Sequence, residues 1–308
     1  MLPESPSRRR FLESAAALPL AAATVSSASA QAPQGSAPGA GTMPKRAVLI
    51  SMLPPGPFAD RFAAAKTAGF EAIEMQTITR DEEAAEIKEA AAKAGLRIHS
   101  VMNMDHWRLP LSSSDPDVVT KSVAGMQTSM KNAALWGADA VLLVPAVVDA
   151  STAYRDAYTR SQRVIRERLL PMAKDMKITI AVEEVWNKFL LSPIEFARYV
   201  DEFESPFLKA YFDVGNVVLF AFPQDWIRTL GARIVKLHLK DFSLDRRNGT
   251  YAWKPIGEGD IDWIEVRRAL TDIKYNGYAT TEVSGGDAAY LKDVASRVDR
   301  FLAGQKPV

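Results

Sequence analysis

From Arg46 onward the chain alternates eight times between a short apolar run and a longer stretch with helical spacing. That rhythm confines the fold, because strands separated by helices pair in parallel and need both faces of their sheet covered. It predicts strands at Val48–Leu53, Ala72–Gln76, Arg97–Met102, Ala140–Val144, Ile178–Val185, Lys209–Asp213, Ile234–Leu239 and Tyr278–Val283. Helices are predicted over Phe58–Gly69, Asp81–Gly95, Pro116–Gly137 and Tyr154–Met176, with four more starting near Ser192, Pro223, Asp262 and Asp287. Asp115 stands where it would cap the third helix. Gly69, Gly95, Gly137, Gly231 and Gly277 recur just ahead of a strand, where a helix C-cap is expected. Eight units in about 260 residues fit a single closed (β/α)8 barrel, which typically takes roughly 250. An open doubly wound sheet is the alternative, but no Gly-x-Gly-x-x-Gly follows the first strand, so a dinucleotide fold loses support.

Four of the later apolar runs end on metal-type ligands: Ile180-Ala-Val-Glu-Glu184, Ala210-Tyr-Phe-Asp213, Ile234-Val-Lys-Leu-His238 and Ala279-Thr-Thr-Glu282. In a parallel barrel such strand ends share one rim, and that rim carries the chemistry. A single carboxylate at a strand end usually caps a helix or pairs with a lysine. Consecutive ones crowd like charges that are costly to desolvate unless a cation joins them. Three carboxylates and an imidazole suit Mn²⁺, Mg²⁺ or Co²⁺ better than a structural zinc, although Zn²⁺ fits the donor types. The fifth strand offers both Glu183 and Glu184, which point to opposite faces, and alternation alone does not choose between them.

Composition narrows the partners. The net charge is +1, and the first thirty residues hold three arginines and two glutamates, so removing them leaves a neutral chain without the basic excess of a nucleic-acid binder. Cysteine is absent, which excludes disulfides, thiolate zinc sites and a cysteine nucleophile. Arg8-Arg9-Arg10-Phe11-Leu12, an Ala/Leu-rich run and Ala28-Ser29-Ala30 have the layout of a secretory signal, and the paired arginines before Phe-Leu are similar to a twin-arginine signal. Residues 1–30 are therefore expected to be a signal peptide, 31–44 a flexible leader and 45–308 the catalytic barrel of a periplasmic protein. No stable membrane insertion is expected once the signal is cleaved, and self-association is left open.

The strand-end motifs together resemble the xylose-isomerase-like TIM barrels, the sugar phosphate isomerase/epimerase superfamily, over roughly Arg46 to Leu302. Glu184-Val-Trp-Asn187 matches the Glu-x-x-Asn of ketose 3-epimerases. Phe212-Asp213-Val-Gly-Asn216 looks like their Asp-x-x-His with Asn in the last place, and His238-Leu-Lys240-Asp241 matches a His-x-Lys-Asp pattern. Gly257-Glu-Gly-Asp260-Ile-Asp262-Trp263 is also typical of the group. The resemblance implies one divalent metal, foremost Mn²⁺, held by Glu184, Asp213, His238 and Glu282, with Glu184 chosen by the motif. It implies a metal-dependent isomerase or epimerase in which Glu184 and Glu282 form the acid/base pair. Asn216 departs from the family's histidine, and the arginine expected after the seventh strand has only Arg246 and Arg247 as loose candidates.

His106, Trp107, Trp186, Asn216 and Lys240 are the expected substrate contacts, with Trp253 a further aromatic platform. Lys240 reaches either a substrate oxygen or Asp241. Ser284-Gly285-Gly286-Asp287 opens the last helix; its alternatives are a phosphate-holding turn and a simple capped turn. An exported enzyme rarely meets sugar phosphates, so the turn and an unphosphorylated carbohydrate are preferred. Two other readings keep the same residues: a lyase or dehydratase acting on a keto-glycoside or inosose, and a non-catalytic periplasmic sugar-binding protein. The DNA-repair branch of this fold needs more histidines than the three present.

Overall fold

The computed structural model describes residues 43–308 apart from Met104. The expected signal and nearly all of the expected leader lie outside the described residues. The barrel strands are β1 (Lys45–Leu49), β2 (Ala72–Gln76), β3 (Arg97–Met102), β4 (Ala140–Leu143), β5 (Thr179–Glu183), β6 (Leu208–Asp213), β7 (Ile234–Leu239) and, after a hairpin, β10 (Tyr278–Thr281). They close in the order β1-β10-β7-β6-β5-β4-β3-β2, all parallel. The sheet has the single closed (β/α)8 topology that the alternation predicts. The hairpin comprises β8 (Asp241–Asp245) and β9 (Thr250–Lys254), antiparallel and outside the barrel.

The helices are α1 (Phe58–Ala68), α2 (Asp81–Ala94), α3 (Pro116–Trp136), α4 (Tyr154–Val164), α5 (Leu170–Met176), α6 (Pro193–Asp201), α7 (Pro223–Leu230), α8 (Trp263–Asp272) and α9 (Ala288–Leu302). Four begin on side chains that accept a backbone N–H of the first turn: Asp115 from Asp117, Ser192 from Glu195, Asp262 from Glu265 and Asp287 from Tyr290. These bonds satisfy donors that a helix N-terminus leaves unpaired. Gly69, Gly95 and Gly137 close α1, α2 and α3 in the left-handed region, as predicted. Gly277 has a different role, since a Cβ there would lie 2.6 Å from the Tyr275 hydroxyl. The stretch from Tyr154 to Met176 is interrupted by one wide π turn at Ile165–Leu169. Pro171 follows immediately and cannot donate a backbone N–H, which accounts for the local unwinding.

Two shells of packing follow from strand alternation. Ile180 and Val182 face outward into the main core beneath the helices, whereas Ala181 belongs with Ala140, Leu142, Val144 and Tyr211 inside the barrel. The interior is also strongly polar. Glu74, His99, Ser100, Thr280 and His238 are fully or almost fully buried there. Near one end of β7, Lys236 pairs with Asp139 at 2.5 Å and sits over the Tyr278 ring. The opposite strand ends carry the candidate site.

Candidate metal and substrate site

Glu183 on β5, Asp213 on β6, His238 on β7 and Glu282 just past β10 each bring one ligand atom into a cluster whose members lie within 4.8 Å of one another. Parallel pairing sets this up. Asp213 is in register with His238, and Glu183 with Tyr211, two residues before Asp213 on the same face. His238 Nδ1 is 2.9 Å from Glu183 Oε1 and 3.1 Å from Glu282 Oε2. Lys240, two residues on from His238, places Nζ 3.1 Å from Asp213 Oδ2 and 2.7 Å from Glu282 Oε2.

The fifth-strand carboxylate in the cluster is therefore Glu183 rather than the expected Glu184. Ala181 and Glu183 share the inner face, while Glu184 shares the parity of the outward-facing Ile180 and Val182. Glu184 is buried behind the cluster and accepts the Asp213 N–H on Oε1 at 2.9 Å. Burial, reinforced by the charges of Asp213 and Glu183, pushes its carboxyl well above the usual range, and its bond to Asp213 braces β6. Asn187, the other end of the matched motif, donates to the Ala146 carbonyl and accepts from Phe189 N–H, fixing the loop.

The donor set fits a divalent cation. Asp213 Oδ2 and Glu282 Oε2 are buried and accept no well-aligned hydrogen bond, so their contacts are the ionic ones with Lys240 and His238. Burial raises Glu183 to about 7, against the pull of His238, and raises Asp213 as well. Burial would also raise Glu282, but His238 and Lys240 outweigh it and hold that carboxyl well below its ordinary range. For His238, burial opposes the charge, yet Glu282, Glu74 and Glu183 raise the imidazole well above its normal value. Lys240 and His238 offset the carboxylate charges, a role that a bound cation can share.

Glu74, on β2, was not marked by the strand-end pattern. Its Oε2 lies 3.0 Å from His238 Nε2 and also accepts the Tyr211 hydroxyl. A carboxylate on the far ring nitrogen turns Nδ1 toward an ion and makes it a stronger donor. The signal that could have found it is a lone acid inside the buried strand Ala72-Ile-Glu-Met-Gln76. Glu74→Gln is expected to weaken Mn²⁺ affinity about 10- to 100-fold with the fold retained; titration calorimetry against a circular dichroism control checks this.

The expected substrate contacts gather around one cavity of about 370 Å³, lined by both Glu183 and Glu282 and by His106, Trp107, Trp186 and Asn216. His106 Nδ1 is 2.6 Å from the Asn103 carbonyl, which accepts its proton and leaves Nε2 as an acceptor. Trp107 is half exposed. Trp186 donates its indole N–H to the Asn216 carbonyl and stacks on Trp253 at 5.2 Å. Asn216 also donates to the Glu184 carbonyl, so it ties β5 to β6 while lining the cavity. Lys240 reaches the cavity through its pairs with Asp213 and Glu282. Asp241 is occupied elsewhere: it accepts from the amides of Gly257 and Gly259 and from the Trp263 indole. Arg246 and Arg247 lie at the exposed hairpin tip, away from the cavity lining. Asp287 caps α9, consistent with the capped-turn reading of the last loop.

Gly215 shows how closely the site is packed, because a Cβ there would lie 2.5 Å from Lys240 Cγ and 3.0 Å from its carbonyl oxygen. Gly215→Ala is expected to displace Lys240, lowering stability by about 1–3 kcal/mol. A thermal melt and a steady-state assay check it, with kcat/KM falling more than the melt alone explains.

A (β/α)8 barrel with an acid/imidazole cluster at its strand ends defines a class of rim-active barrel proteins. Within it, the chain belongs to the xylose isomerase-like TIM barrel family, whose model matches residues 62–300. L-Ribulose-5-phosphate 3-epimerase of Escherichia coli O1:K1 is 28% identical over 235 residues, 71% of this chain and 78% of its own length. A solved D-tagatose 3-epimerase-like protein superposes with a TM-score of 0.71 at 18% identity, covering 84% of this chain and 97% of its own. D-Allulose 3-epimerase from Methylomonas sp., solved with D-allulose, gives 0.66 at 20% identity over 79% of this chain and 85% of its own.

Proposed function

We propose that the chain is a divalent-metal-dependent sugar epimerase or isomerase that moves a proton next to the carbonyl of an unphosphorylated keto-sugar. The observation that carries this is the pairing of Glu183 and Glu282, both against His238 Nδ1 and both lining the cavity. The sugar epimerases among its relatives support the same reading. Glu183, Asp213, His238 and Glu282 would hold the ion, which when bound supplies Lewis-acid polarisation of a carbonyl and neighbouring hydroxyl.

The remaining chemistry belongs to the side chains. Glu282, held ionised by His238 and Lys240, is the carboxylate placed to take a proton, and Glu183, which burial raises to about 7, is placed to return one from the other side of the cluster. Lys240 donates to a substrate oxygen, and His106 Nε2 accepts from a hydroxyl. Trp107 and Trp186 cover the sugar and exclude water. Asp287 puts a carboxylate at the α9 N-terminus, where a phosphate would need the helix amides to itself. The signal-like N-terminus favours an unphosphorylated substrate as well.

Incubation of the Mn²⁺-loaded chain with ketohexoses in D₂O tests the reading. Deuterium incorporation and a second epimer, both lost after chelation, are expected. A product lighter by water or by an alcohol would instead identify a lyase. Tight sugar binding without any exchange would leave a binding protein.

A further inference from the structure

Five of the eight strands send a polar side chain to one continuous line across the barrel interior. Glu74 of β2, His99 of β3, Tyr211 of β6, His238 of β7 and Thr280 of β10 are each fully buried. Tyr211 also packs its ring on that of His238, with centroids 4.4 Å apart. Beyond Glu74 and Tyr211 the contacts continue: Tyr211 Oη is 3.3 Å from Thr280 Oγ1, and Thr280 Oγ1 is 3.0 Å from His99 Nε2. Apolar side chains of the same shape would serve stability about as well. Packing alone therefore does not account for the line.

We propose that Tyr211, Thr280 and His99 are positioning residues for the ion site. They form a hydrogen-bond chain in which every donor points toward Glu74. The chain holds that carboxylate, and through it the His238 ring, with Nδ1 offered to the ion. The part that concerns the ion rests on the metal reading above; the direction of the chain does not.

The direction follows from counting protons. Tyr211 has a single hydroxyl proton, and Glu74 Oε2 accepts it. The contact with Thr280 is then left for the threonine proton, which the Tyr211 oxygen accepts. Thr280 Oγ1 in turn accepts from His99 Nε2. His99 can supply that proton. Its Nδ1 is buried and has no hydrogen-bond partner among the described residues. An orphaned buried N–H is rarer than an orphaned acceptor, so the proton sits on Nε2. Burial, aided by the charges of Lys236 and His238, holds the imidazole well below its ordinary pKa, which keeps the ring at one proton near neutral pH. The Ser100 hydroxyl, 3.5 Å from the same nitrogen, is the more distant acceptor. Successive donors in one sense polarise one another, so Thr280 and His99 strengthen the bond that reaches Glu74.

Nitrogen-15 NMR of the full, metal-free chain tests the direction, because its three histidines give only three rings to assign. His99 is expected to show a protonated Nε2 and a bare Nδ1. The opposite tautomer reverses the Thr280 contact and overturns the proposal. The same spectra read the hold on His238. Its ring nitrogens are expected to shift in Tyr211→Phe, which keeps the packed ring and removes the donor, and in Thr280→Val, which keeps the volume and removes the hydroxyl. Thr280→Ser is expected to return them. Mn²⁺ titration calorimetry should show losses of about tenfold for Tyr211→Phe and about threefold for Thr280→Val, with wild-type affinity in Thr280→Ser. A His238 ring unmoved by either variant, or equal effects of Thr280→Val and Thr280→Ser, overturns the proposal. A wild-type chain that binds no Mn²⁺ while the histidine spectra behave as expected sinks the metal reading and leaves the chain's direction and its hold on His238 standing.

Discussion

Glu183→Ala is expected to cut divalent-metal affinity by more than about 100-fold and to remove deuterium exchange, whereas Glu184→Gln retains both the ion and the exchange. A side chain that touches the ion matters more than the outer partners whose loss typically costs about 10- to 100-fold. Glu183 Oε1 touches His238 Nδ1, so its removal takes away both a ligand atom and the carboxylate assigned to proton transfer. Glu184 acts from behind by accepting the Asp213 N–H, and glutamine keeps that acceptor. Metal titration of both variants decides the matter. Loss of the ion from Glu184→Gln with Glu183→Ala still loaded would reverse the assignment.

The same titration has a pH dependence whose sign follows from His238. Burial opposes its protonation, but Glu282, Glu74 and Glu183 raise its pKa above the ordinary value of about 6.5. An ion must displace that proton, so affinity is expected to climb with pH through and beyond the normal imidazole range. In the metal-free protein the sign is opposite. A raised folded-state pKa contributes stability that is complete below the unfolded value and is lost as pH rises through the folded one. The stabilisation by Mn²⁺ in a thermal melt should therefore grow from pH 6 toward pH 8 (roughly the window above the free imidazole value).

Glu282→Gln is the second large effect, a fall of about 10²- to 10⁴-fold in exchange. Its carboxylate is held ionised by His238 and Lys240, and it lines the cavity. Glutamine preserves the shape and one oxygen ligand but cannot take up a proton. Metal content separates the two roles: an ion retained with exchange lost identifies proton transfer, and wild-type exchange in the variant rules it out.

The barrel was legible because strand and helix periods alternate cleanly and the caps are local. Asp115, Ser192, Asp262 and Asp287 each act within three residues of their position in the chain. Asp213, His238 and Glu282 were legible as strand ends. The choice between Glu183 and Glu184 turned on which parity faces inward; alternation alone leaves both open, and a four-residue motif match selects Glu184. The bulky β-branched Ile180 and Val182 beside the small Ala181 were the available cue, since the wide outer core takes the larger side chains. Glu74 was missed because its partners Tyr211 and His238 are 137 and 164 residues away. The hairpin was missed for a different reason. All five residues of β9 are exposed, and the alternation of Tyr251 and Trp253 in Thr250-Tyr-Ala-Trp-Lys254 is too short to mark a strand by itself.

The cluster of Glu183, Asp213, His238 and Glu282 stands at the ends of the barrel strands, whereas Trp107 and Trp253 stand on excursions from them. The hairpin bearing Trp253 leaves the barrel right after Lys240, and Asp241 secures its base through the amides of Gly257 and Gly259 and the indole of Trp263. The acid/imidazole cluster and the aromatic wall of the cavity are thus built by different stretches of chain. A change in the length of the segment between Asp241 and Gly259 would reshape the wall that carries Trp253 and leave Glu183, Asp213, His238 and Glu282 in place.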